Sequence, residues 1–398
     1  MSEGFADTVR ETTVASQSSS RRTIQTPINP ALRIQQDPPA EIYRPHLEEC
    51  RTRPTVWVIP PNSSEPQEIP IEVVRTNQPT HAYMRIPSMR TRSLDHHGPG
   101  WGVVYFGVRL RRVAENVYQA PKEDAAERVA IKRLRLSVVD ASLAQGRKED
   151  PYKEILRMQT LGDNIHVLQC IEALIDRDKD FLYIITPYCD DKSLAEWIPW
   201  HQGIAEDQAR IIFTQILKNI QYLQDHGICH RDLSPDNCMV YQGRIVLTDL
   251  AMSFLIPNGG MTAPMGGFGK PAYLPPEVFL NLPFDATACD LWSAIVTLFN
   301  LLTGEILYEH PHPQDIFFRY FVLAKGCSST PLNERTVEII MGLDDDHPKR
   351  NDLWNKAQRC MSLSPEALEL LEGVLRVATH ERWNQNEVQS GRWMSPTM

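Results

Sequence analysis

The sequence lacks the patterns that would place a protein outside the cell or in a membrane. Its eight cysteines include no C-x-x-C pair, and a chain of this length does not need disulfide bonds, so reduced thiols are expected. The first residues, MSEGFAD, lack the apolar stretch of a secretory signal. No apolar run reaches the roughly 18 residues that cross a bilayer. We therefore expect an intracellular protein, cytoplasmic with the nucleus as a second location, without a membrane partner.

An excess of positive charge is also absent. The 41 Lys and Arg residues against 50 Asp and Glu residues give a formal net charge of −9, which argues against nucleic acid or an anionic lipid surface as a partner. Hydrophobic residues make up 42% and charged residues 23% of the chain. This ordinary composition excludes a wholly disordered or collagen-like protein. A length of 398 residues suggests two or three structural units.

Three regions differ in composition along the chain. Residues 1–40 are rich in Ser and Thr, which predicts a disordered tail because such a segment cannot bury enough surface to offset its ordering entropy. Residues 41–93 combine many prolines with short β-type runs, which predicts a loose lead-in of unknown role without a core of its own. Residues 94–393 carry strands and then long helices, so a small β-rich unit before a larger helical one is expected.

Two helices are predicted from the spacing of apolar residues. Apolar side chains recur at helical intervals from Ala209 to Leu223, and the pattern ends near Gly227. The stretch Ala288–Thr303 is apolar on nearly all sides and stops at Gly304, a residue type that commonly ends helices. At this length it is a buried core helix and not a membrane span.

Three short motifs that carry chemistry follow one another in a fixed order. Val129–Lys132 places a lysine at the end of an apolar strand. The loop His230–Asn237, with the sequence HRDLSPDN, carries a carboxylate and a carboxamide five residues apart, which suits a reaction that needs a base and a metal ligand. Val246–Ala251 ends another apolar strand with Asp249. In this order and at these separations, the motifs resemble those of the eukaryotic protein kinases.

The resemblance covers roughly residues 94–393 and implies an α+β, bilobal fold. A small β-rich N-lobe is then followed by a larger helical C-lobe, with a cleft between the two. Lys132 corresponds to the lysine that holds the α- and β-phosphates of ATP, and Glu154 is its expected carboxylate partner on the following helix. Glu149 and Glu172 are the alternatives, but the spacing of the residues that follow favours Glu154.

The resemblance also implies the roles of the loop residues. Asp232 matches the catalytic base that accepts the proton of a substrate hydroxyl, and Asn237 and Asp249 match the ligands of Mg²⁺. Thr186 lies where the family has the residue beside adenine. The residues expected around the nucleotide are Gly98, Gly100, Gly102, Val104, Ala130, Lys132, Thr186, Tyr188, Cys189 and Met239.

The glycine-rich stretch is one residue shorter than the pattern of the resembled family. One alternative is that Gly102 keeps the place of the third glycine, with Trp101 at the tip of the loop. The other is that Gly98 and Gly100 keep the places of the first two. Either arrangement favours a phosphate-covering loop, because a Val-Val-Tyr run and Lys132 follow it.

Other positions depart from the family in ways that bear on activity. Asp249-Leu250-Ala251 replaces D-F-G, and alanine lacks the ease with which glycine adopts a positive φ. Ser234 stands where the catalytic loop is expected to carry a lysine, and Lys270 stands where a threonine is expected. We interpret these two as a compensating exchange, in which Lys270 brings its charge to the transferred phosphoryl group and Ser234 orients it. Both are therefore predicted catalytic residues.

Toward the C-terminus, the segment Gly269–Glu277 resembles the substrate-docking loop and the A-P-E box of the family. Arg382 lies where a buried partner for Glu277 is expected. Thr262, between Asp249 and the segment Gly269–Glu277, is either a site of activating phosphorylation or a plain loop threonine. The two alternatives are about equal for a single loop hydroxyl.

The function implied is an ATP- and Mg²⁺-dependent protein kinase that acts on Ser or Thr hydroxyls of protein substrates. Tyr specificity is disfavoured because the residues after Asp232 lack the Arg and Ala pattern of tyrosine kinases. The alternative is a pseudokinase scaffold that binds nucleotide or a partner without efficient turnover. A small-molecule phosphotransferase would share Lys132 and the metal ligands, but it is not expected to carry the Pro-Pro-Glu box and Arg382.

Overall fold

The structure is a computed structural model. The chain divides into a β-rich unit, residues 39–192 with 240–252, and a helical unit that includes residues 193–239 and 253–398. The predicted α+β class is confirmed, with a sheet toward the N-terminus and helices toward the C-terminus. The predicted tail, residues 1–40, lies outside the described residues. These are 45–53, 55–75, 80–86, 92–93, 100–122, 127–189, 192–266, 268–322 and 350–395.

The β-rich unit is built on one eleven-stranded sheet. Two helices follow the ninth strand and lead to the tenth. The strands are β1 Glu48–Arg51, β2 Thr55–Ile59, β3 Gln67–Pro70, β4 Val73–Arg75, β5 His81–Arg85, β6 Arg92–Ser93, β7 Gly102–Ala114, β8 Val117–Gln119, β9 Arg128–Arg135, β10 Glu172–Asp176 and β11 Phe181–Pro187, and the helices are α1 Leu136–Ala144 and α2 Pro151–Leu161.

Seven strands of this sheet close into a ring. The order around it is β7, β5, β4, β1, β10, β11 and β9, and β9 pairs again with β7. Each of the seven strands contributes at least one side chain to a single interior cluster, so the ring encloses a core of its own. The members of this cluster are Cys50, Val73, Tyr83, Tyr105, Val129, Ile131, Leu174, Tyr183 and Ile185.

The strands of the lead-in therefore belong to this core. β1, β4 and β5 fill three places in the ring, and β2 contributes the buried Val56 and Val58 to a second apolar cluster. The prediction that residues 41–93 are a loose segment is wrong for two reasons. The alternation of exposed and buried residues along β2 is that of a half-buried strand. The prolines of this segment that the structure describes lie at or beyond strand ends, as Pro60 and Pro70 do, where they break no interior pairing.

The helical unit is organised around one buried helix. Both helices predicted from apolar spacing are confirmed, as α4 and α6 in the numbering that follows. α6 is long and apolar enough to cross a membrane by length and composition, but 89% of it is buried inside the protein. The helices are α3 Leu194–Trp197, α4 Glu206–Asp225, α5 Pro276–Phe279, α6 Ala286–Thr303, α7 Ile316–Phe321, α8 Arg350–Met361, α9 Pro365–Val374 and α10 Gln385–Ser390.

Short strands complete the helical unit and mark where the chain passes between the units. β12 Ile228–Cys229 pairs with β15 Phe254–Leu255, and β16 Met261–Thr262 pairs with β17 Phe284–Asp285. The chain leaves the helical unit within β13 Cys238–Tyr241 and continues into β14 Arg244–Leu247, with which β13 forms a two-stranded sheet. The loop between β12 and β13 carries the HRDLSPDN motif.

The expected ion pair of Glu277 and Arg382 is present in the helical unit. Two parallel hydrogen bonds of 2.6 and 2.7 Å join the guanidinium to the carboxylate, and the two side chains are only 3% and 6% exposed. The guanidinium also lies 4.4 Å from the ring centroid of Trp292. Because both charges are buried, each one depends on the other for its solvation.

Replacing Arg382 is therefore expected to destabilise the fold. Arg382→Met leaves the Glu277 carboxylate buried without its partner, and the free energy of unfolding should fall by about 3–5 kcal/mol. The matched control is Arg392→Met, which breaks an ion pair with Glu369 between side chains that are 70% and 41% exposed, and it should leave the free energy of unfolding nearly unchanged. Denaturant unfolding of the full chain measures both. Equal losses from the two variants would contradict a structural role for the buried pair.

Candidate functional site

The strand pairing of the β-rich unit gathers predicted nucleotide residues on one face. Val104 on β7 lies opposite Lys132 on β9, and Thr186 on β11 lies opposite Ala130. Successive side chains of a strand point to opposite faces of the sheet. Since Ile131 points into the ring interior, its neighbours Ala130 and Lys132 point outward. The pairing therefore brings four of the predicted side chains together on the outer face of the ring.

Lys132 forms the ion pair that the resemblance implies. Its ammonium donates a hydrogen bond to the carboxylate of Glu154 over 2.7 Å, and the two side chains are 17% and 5% exposed. Of the alternatives, Glu149 pairs with Arg147, and Glu172 contacts the imidazole of His81. Glu154 is thus the partner of Lys132 in this structure.

The negative charge of Asp249 raises the pKa of both members of this pair. Burial lowers the pKa of the Lys132 ammonium, but the negative charges of Glu154 and Asp249 outweigh burial and leave that pKa raised. Burial is also the largest influence on Glu154 and raises the pKa of its carboxyl, against the attraction of Lys132. The ammonium is therefore firmly charged, whereas the carboxylate depends on its contact with Lys132.

The start of α2 is fixed by its own sequence and by the segment after Asp249. The Asp150 side chain caps the helix by accepting hydrogen bonds from the backbone N–H groups of Tyr152 and Lys153, and Pro151 occupies the first helical position. The backbone N–H of Asp150 also donates to the carbonyl of Ala251 over 3.0 Å. The helix that carries Glu154 is consequently tied to the Asp-Leu-Ala motif.

The replacement of glycine by Ala251 causes no strain in this conformation. The left-handed residue of the motif is Asp249, with a φ of 64°, a conformation that aspartate tolerates better than most residues. Ala251 lies in a 3₁₀ turn, Leu250–Met252, and is 1% exposed. In this conformation, the residue at position 251 does not need a positive φ.

The glycine-rich stretch is described from Gly100 onward, and Gly98 lies outside the described residues. Gly100 has a φ of 70°, which favours glycine. A Cβ atom on Gly102 would lie 2.4 Å from the carbonyl oxygen of Arg133, so close strand pairing explains this glycine. Trp101 is 1% exposed, which argues against the alternative that it stands at the tip of an open loop.

The residues that follow β11 contact Phe106, a residue of β7 that the motifs did not indicate. The Tyr188 N–H donates to the carbonyl of Arg128 over 3.2 Å, and Cys189 is buried. Phe106 shares the outer face with Ala130, its partner across the strands, and its ring centroid lies 4.4 Å from that of Tyr188. The alternation from Val104 along β7 would have placed Phe106 on this face.

In the helical unit, α6 holds the HRDLSPDN loop. The carboxylate of Asp290, which is fully buried on α6, accepts hydrogen bonds from the backbone N–H groups of His230 and Arg231 over 2.8 and 2.9 Å. Arg231 has a φ of 68°. Because both N–H groups donate to one buried carboxylate, this left-handed bend is fixed. The bend in turn sets the position of the next residue, Asp232.

Asp232 is held in one orientation by its own unit. Asn237 donates from its amide nitrogen to the backbone carbonyl and to Oδ2 of Asp232, over 2.7 and 2.9 Å. The backbone N–H of Lys270 donates to Oδ1 over 3.0 Å. Gly269 allows this approach, because a Cβ atom there would lie 2.6 Å from the carbonyl oxygen of Arg231. The predicted base and one predicted Mg²⁺ ligand are therefore adjacent.

Lys270 and Ser234, the two departures in this region, are in direct contact. The Lys270 ammonium donates to the Ser234 hydroxyl over 2.7 Å, and it lies 3.0 Å from a carboxylate oxygen of Asp236. Ser234 is fully buried, whereas the Lys270 side chain is 39% exposed. The predicted contact is thus present, and it places the ammonium against the loop that carries Asp232.

Two further predicted residues lie in the strands of this region. Met239, on β13, is half-buried and forms an isolated bridge with Ser193. Thr262 lies in β16 opposite Phe284 and is 6% exposed. The burial of its hydroxyl disfavours Thr262 as an accessible phosphorylation site in this conformation.

These two groups of residues define a class of protein. A strand lysine paired with a helix glutamate, and a loop that holds an aspartate beside an asparagine, are the arrangements of a protein kinase domain. The protein kinase domain family model matches residues 114–394, and the chain belongs to that family.

Relatives of this chain are kinases from animals, plants and fungi. Sperm motility kinase 2A of Mus musculus is 35% identical over 158 residues, which are 39% of this chain and 30% of that protein. CBL-interacting protein kinase 21 of Oryza sativa subsp. japonica is 28% identical over 279 residues, 69% of this chain and 49% of that protein. Serine/threonine-protein kinase PRR2 of Saccharomyces cerevisiae is 26% identical over 242 residues, 58% of this chain and 34% of that protein. The chain thus spans less than half the length of each of these relatives.

Proposed function

We propose that this chain is an ATP- and Mg²⁺-dependent protein kinase that transfers the γ-phosphoryl group of ATP to Ser or Thr hydroxyls of protein substrates. The observation that carries the proposal is the buried 2.7 Å ion pair of Lys132 and Glu154, which a protein kinase needs in place for transfer. The Ser/Thr specificity is supported by relatives that are named as serine/threonine-protein kinases.

The donor atoms of the chain fit Mg²⁺ by their chemistry. Asn237 turns its amide nitrogen toward Asp232, so its carbonyl oxygen is the atom offered to a cation. Asp249 offers carboxylate oxygens, and oxygen ligands are those that Mg²⁺ prefers. Bound Mg²⁺ would neutralise charge on the phosphates of ATP.

Each residue of the proposed site then has a defined role. Lys132, oriented by Glu154, binds the nonreacting phosphates of ATP. Asp232, oriented by Asn237 and by the backbone of Lys270, accepts the proton of the substrate hydroxyl. Val104, Ala130 and Thr186, on the outer face of the ring, contact the adenine. The ammonium of Lys270 binds the phosphoryl oxygens.

A nucleotide-binding scaffold without efficient turnover is the second candidate. One observation favours it: both carboxylate oxygens of Asp232 already accept hydrogen bonds from Asn237 and Lys270. A substrate hydroxyl would have to share one of these oxygens. A scaffold of this kind would bind MgATP but would not transfer phosphate.

The variant Lys132→Met tests the proposal against this alternative. MgATP at about 100 times its Kd should stabilise the unsubstituted chain by about 2.7 kcal/mol, measured as a shift in Tm, and the chain should transfer phosphate to a generic protein substrate. Loss of the Lys132 ammonium should slow transfer by about a hundredfold or more. The matched control Lys218→Met, on the exposed side of α4, should change neither quantity. A clear Tm shift without transfer by the unsubstituted chain would favour the scaffold.

A further inference from the structure

The segment before β2 contacts the helix that carries Glu154. This N-terminal segment, residues 46–52, precedes the family match of 114–394, so the family model assigns nothing to it. It lies within the β-rich unit together with Lys132 and Glu154. Its contacts include α2 and the two strands that follow this helix, in addition to the pairing of β1 with β4.

At one end, the backbone of His46 is bound by a single side chain of α2. The His46 N–H donates to Oε1 of Gln159 over 2.7 Å, and Nε2 of Gln159 donates to the His46 carbonyl over 2.8 Å. A primary amide is the side chain that can satisfy a backbone donor and a backbone acceptor together. These two bonds join residues that are 113 positions apart.

At its other end, the segment is fixed to β10 and β11. β1 pairs in parallel with β10, with Glu48 opposite Leu174. The Thr52 N–H donates to the carboxylate of Asp176, and the hydroxyls of Thr52 and Tyr183 lie 2.6 Å apart. Asp176 is 1% exposed, so this anchor is buried. The segment therefore connects α2 rigidly to the ring of strands.

This connection bears on the ion pair of Lys132 and Glu154. Gln159 follows Glu154 by five residues, or roughly 7.5 Å along the helix axis. The first turn of α2 is tied to Ala251 through Asp150, whereas Gln159 ties the last turn to the segment. A helix of 11 residues is short enough to depend on such tertiary contacts.

We infer that residues 46–52 are a positioning element, which acts through Gln159 to hold α2 where Glu154 pairs with Lys132. The inference rests on the proposed kinase activity and assigns a role in it to a segment outside the family match. Gln159 is a positioning residue, since it contacts neither Lys132 nor the phosphates. Its two hydrogen bonds, at ordinary net strength, correspond to about a tenfold change in the population of the paired state.

The test compares Gln159→Ala with Thr160→Ala in the full chain. Among the described residues, the Thr160 hydroxyl bonds only to the carbonyl of Leu156 within the same helix, so its loss leaves the segment in place. We expect Gln159→Ala to lower kcat about tenfold and to speed amide hydrogen exchange of residues 154–161 by a similar factor. Exchange of β7, on the other side of the ring, should stay unchanged, and Thr160→Ala should match the unsubstituted chain.

A second comparison separates positioning from general destabilisation. In a Glu154→Gln background the ion pair is already lost, so adding Gln159→Ala should lower kcat no further. Equal kcat for Gln159→Ala and Thr160→Ala would overturn the inference, and so would a fall in kcat without faster exchange in α2. Absence of transfer by the unsubstituted chain would instead contradict the proposed function. In that case, the amide-exchange comparison of Gln159→Ala with Thr160→Ala would by itself decide whether residues 46–52 hold α2.

Discussion

Asp232→Asn is expected to slow phosphoryl transfer severely while nucleotide binding stays nearly unchanged. The amide keeps the shape of the side chain and can still accept hydrogen bonds, but it cannot take the proton of a substrate hydroxyl. General base catalysis typically contributes about 10²–10⁴ in rate, and kcat should fall within this range. In the proposed function the nucleotide is bound by other residues, Lys132 and Asp249 above all, so the Kd for MgATP should change little.

The control for this variant is Asp225→Asn, an exposed carboxylate at the end of α4. It removes the same charge from the same unit at a site that should leave kcat unchanged. Single-turnover transfer and a direct binding titration measure the two quantities separately. If Asp232→Asn retains most of its turnover, Asp232 is not the base. If it also loses nucleotide binding, the separation of tasks between the residues is wrong.

The second large effect is expected from the contact of Lys270 with Ser234. An ammonium about 4 Å from a phosphate charge, at an effective dielectric near 20, contributes roughly 4 kcal/mol before desolvation. Losing half of this would slow transfer about thirtyfold. Lys270→Thr should therefore be slow, because threonine carries no charge to replace the ammonium. Ser234→Lys, made in the same variant, returns a cation to the loop and should restore much of the rate.

A double-mutant cycle on kcat decides whether the two positions share one site. The four chains are the unsubstituted protein, Lys270→Thr, Ser234→Lys and the double variant. Ser234→Lys alone should also be slow, because it places a second ammonium beside Lys270. Additive effects in the cycle would show that the two residues act independently. In that case Lys270 is best explained as the partner of Asp236, which lies 3.0 Å away.

The short-range features of the site were predictable from the sequence. The motif around Asp232 is contiguous in the sequence. The partner of Lys132 follows from the spacing of the residues after Glu154, compared with that of the resembled family. The contact of Lys270 with Ser234 was also predictable, since both loops carry recognisable motifs. The roles of these residues remain predictions, whereas their contacts are features of the structure.

The closure of the ring was not predictable in the same way. The parallel pairing of β1 with β10 joins Glu48 to Leu174, and no local pattern records a partner that distant in sequence. The prolines of the lead-in also predict broken strands, although those among the described residues lie at or beyond strand ends. The left-handed conformation of Asp249 was not predicted either, because the comparison with D-F-G concerns the glycine position, which is residue 251.

The proposed function is tested most directly by the fate of the γ-phosphoryl group. Purified protein is incubated with Mg²⁺ and ATP labelled in the γ-position, or in parallel in the α-position, and the labelled amino acids are identified after acid hydrolysis. We predict label from the γ-position on phosphoserine or phosphothreonine, in the chain itself or in a generic protein substrate, and none from the α-position. Both labels should be absent with Asp232→Asn. Nucleotide binding by a folded chain, without any transfer from the γ-position, would contradict the proposal that this chain is an active kinase.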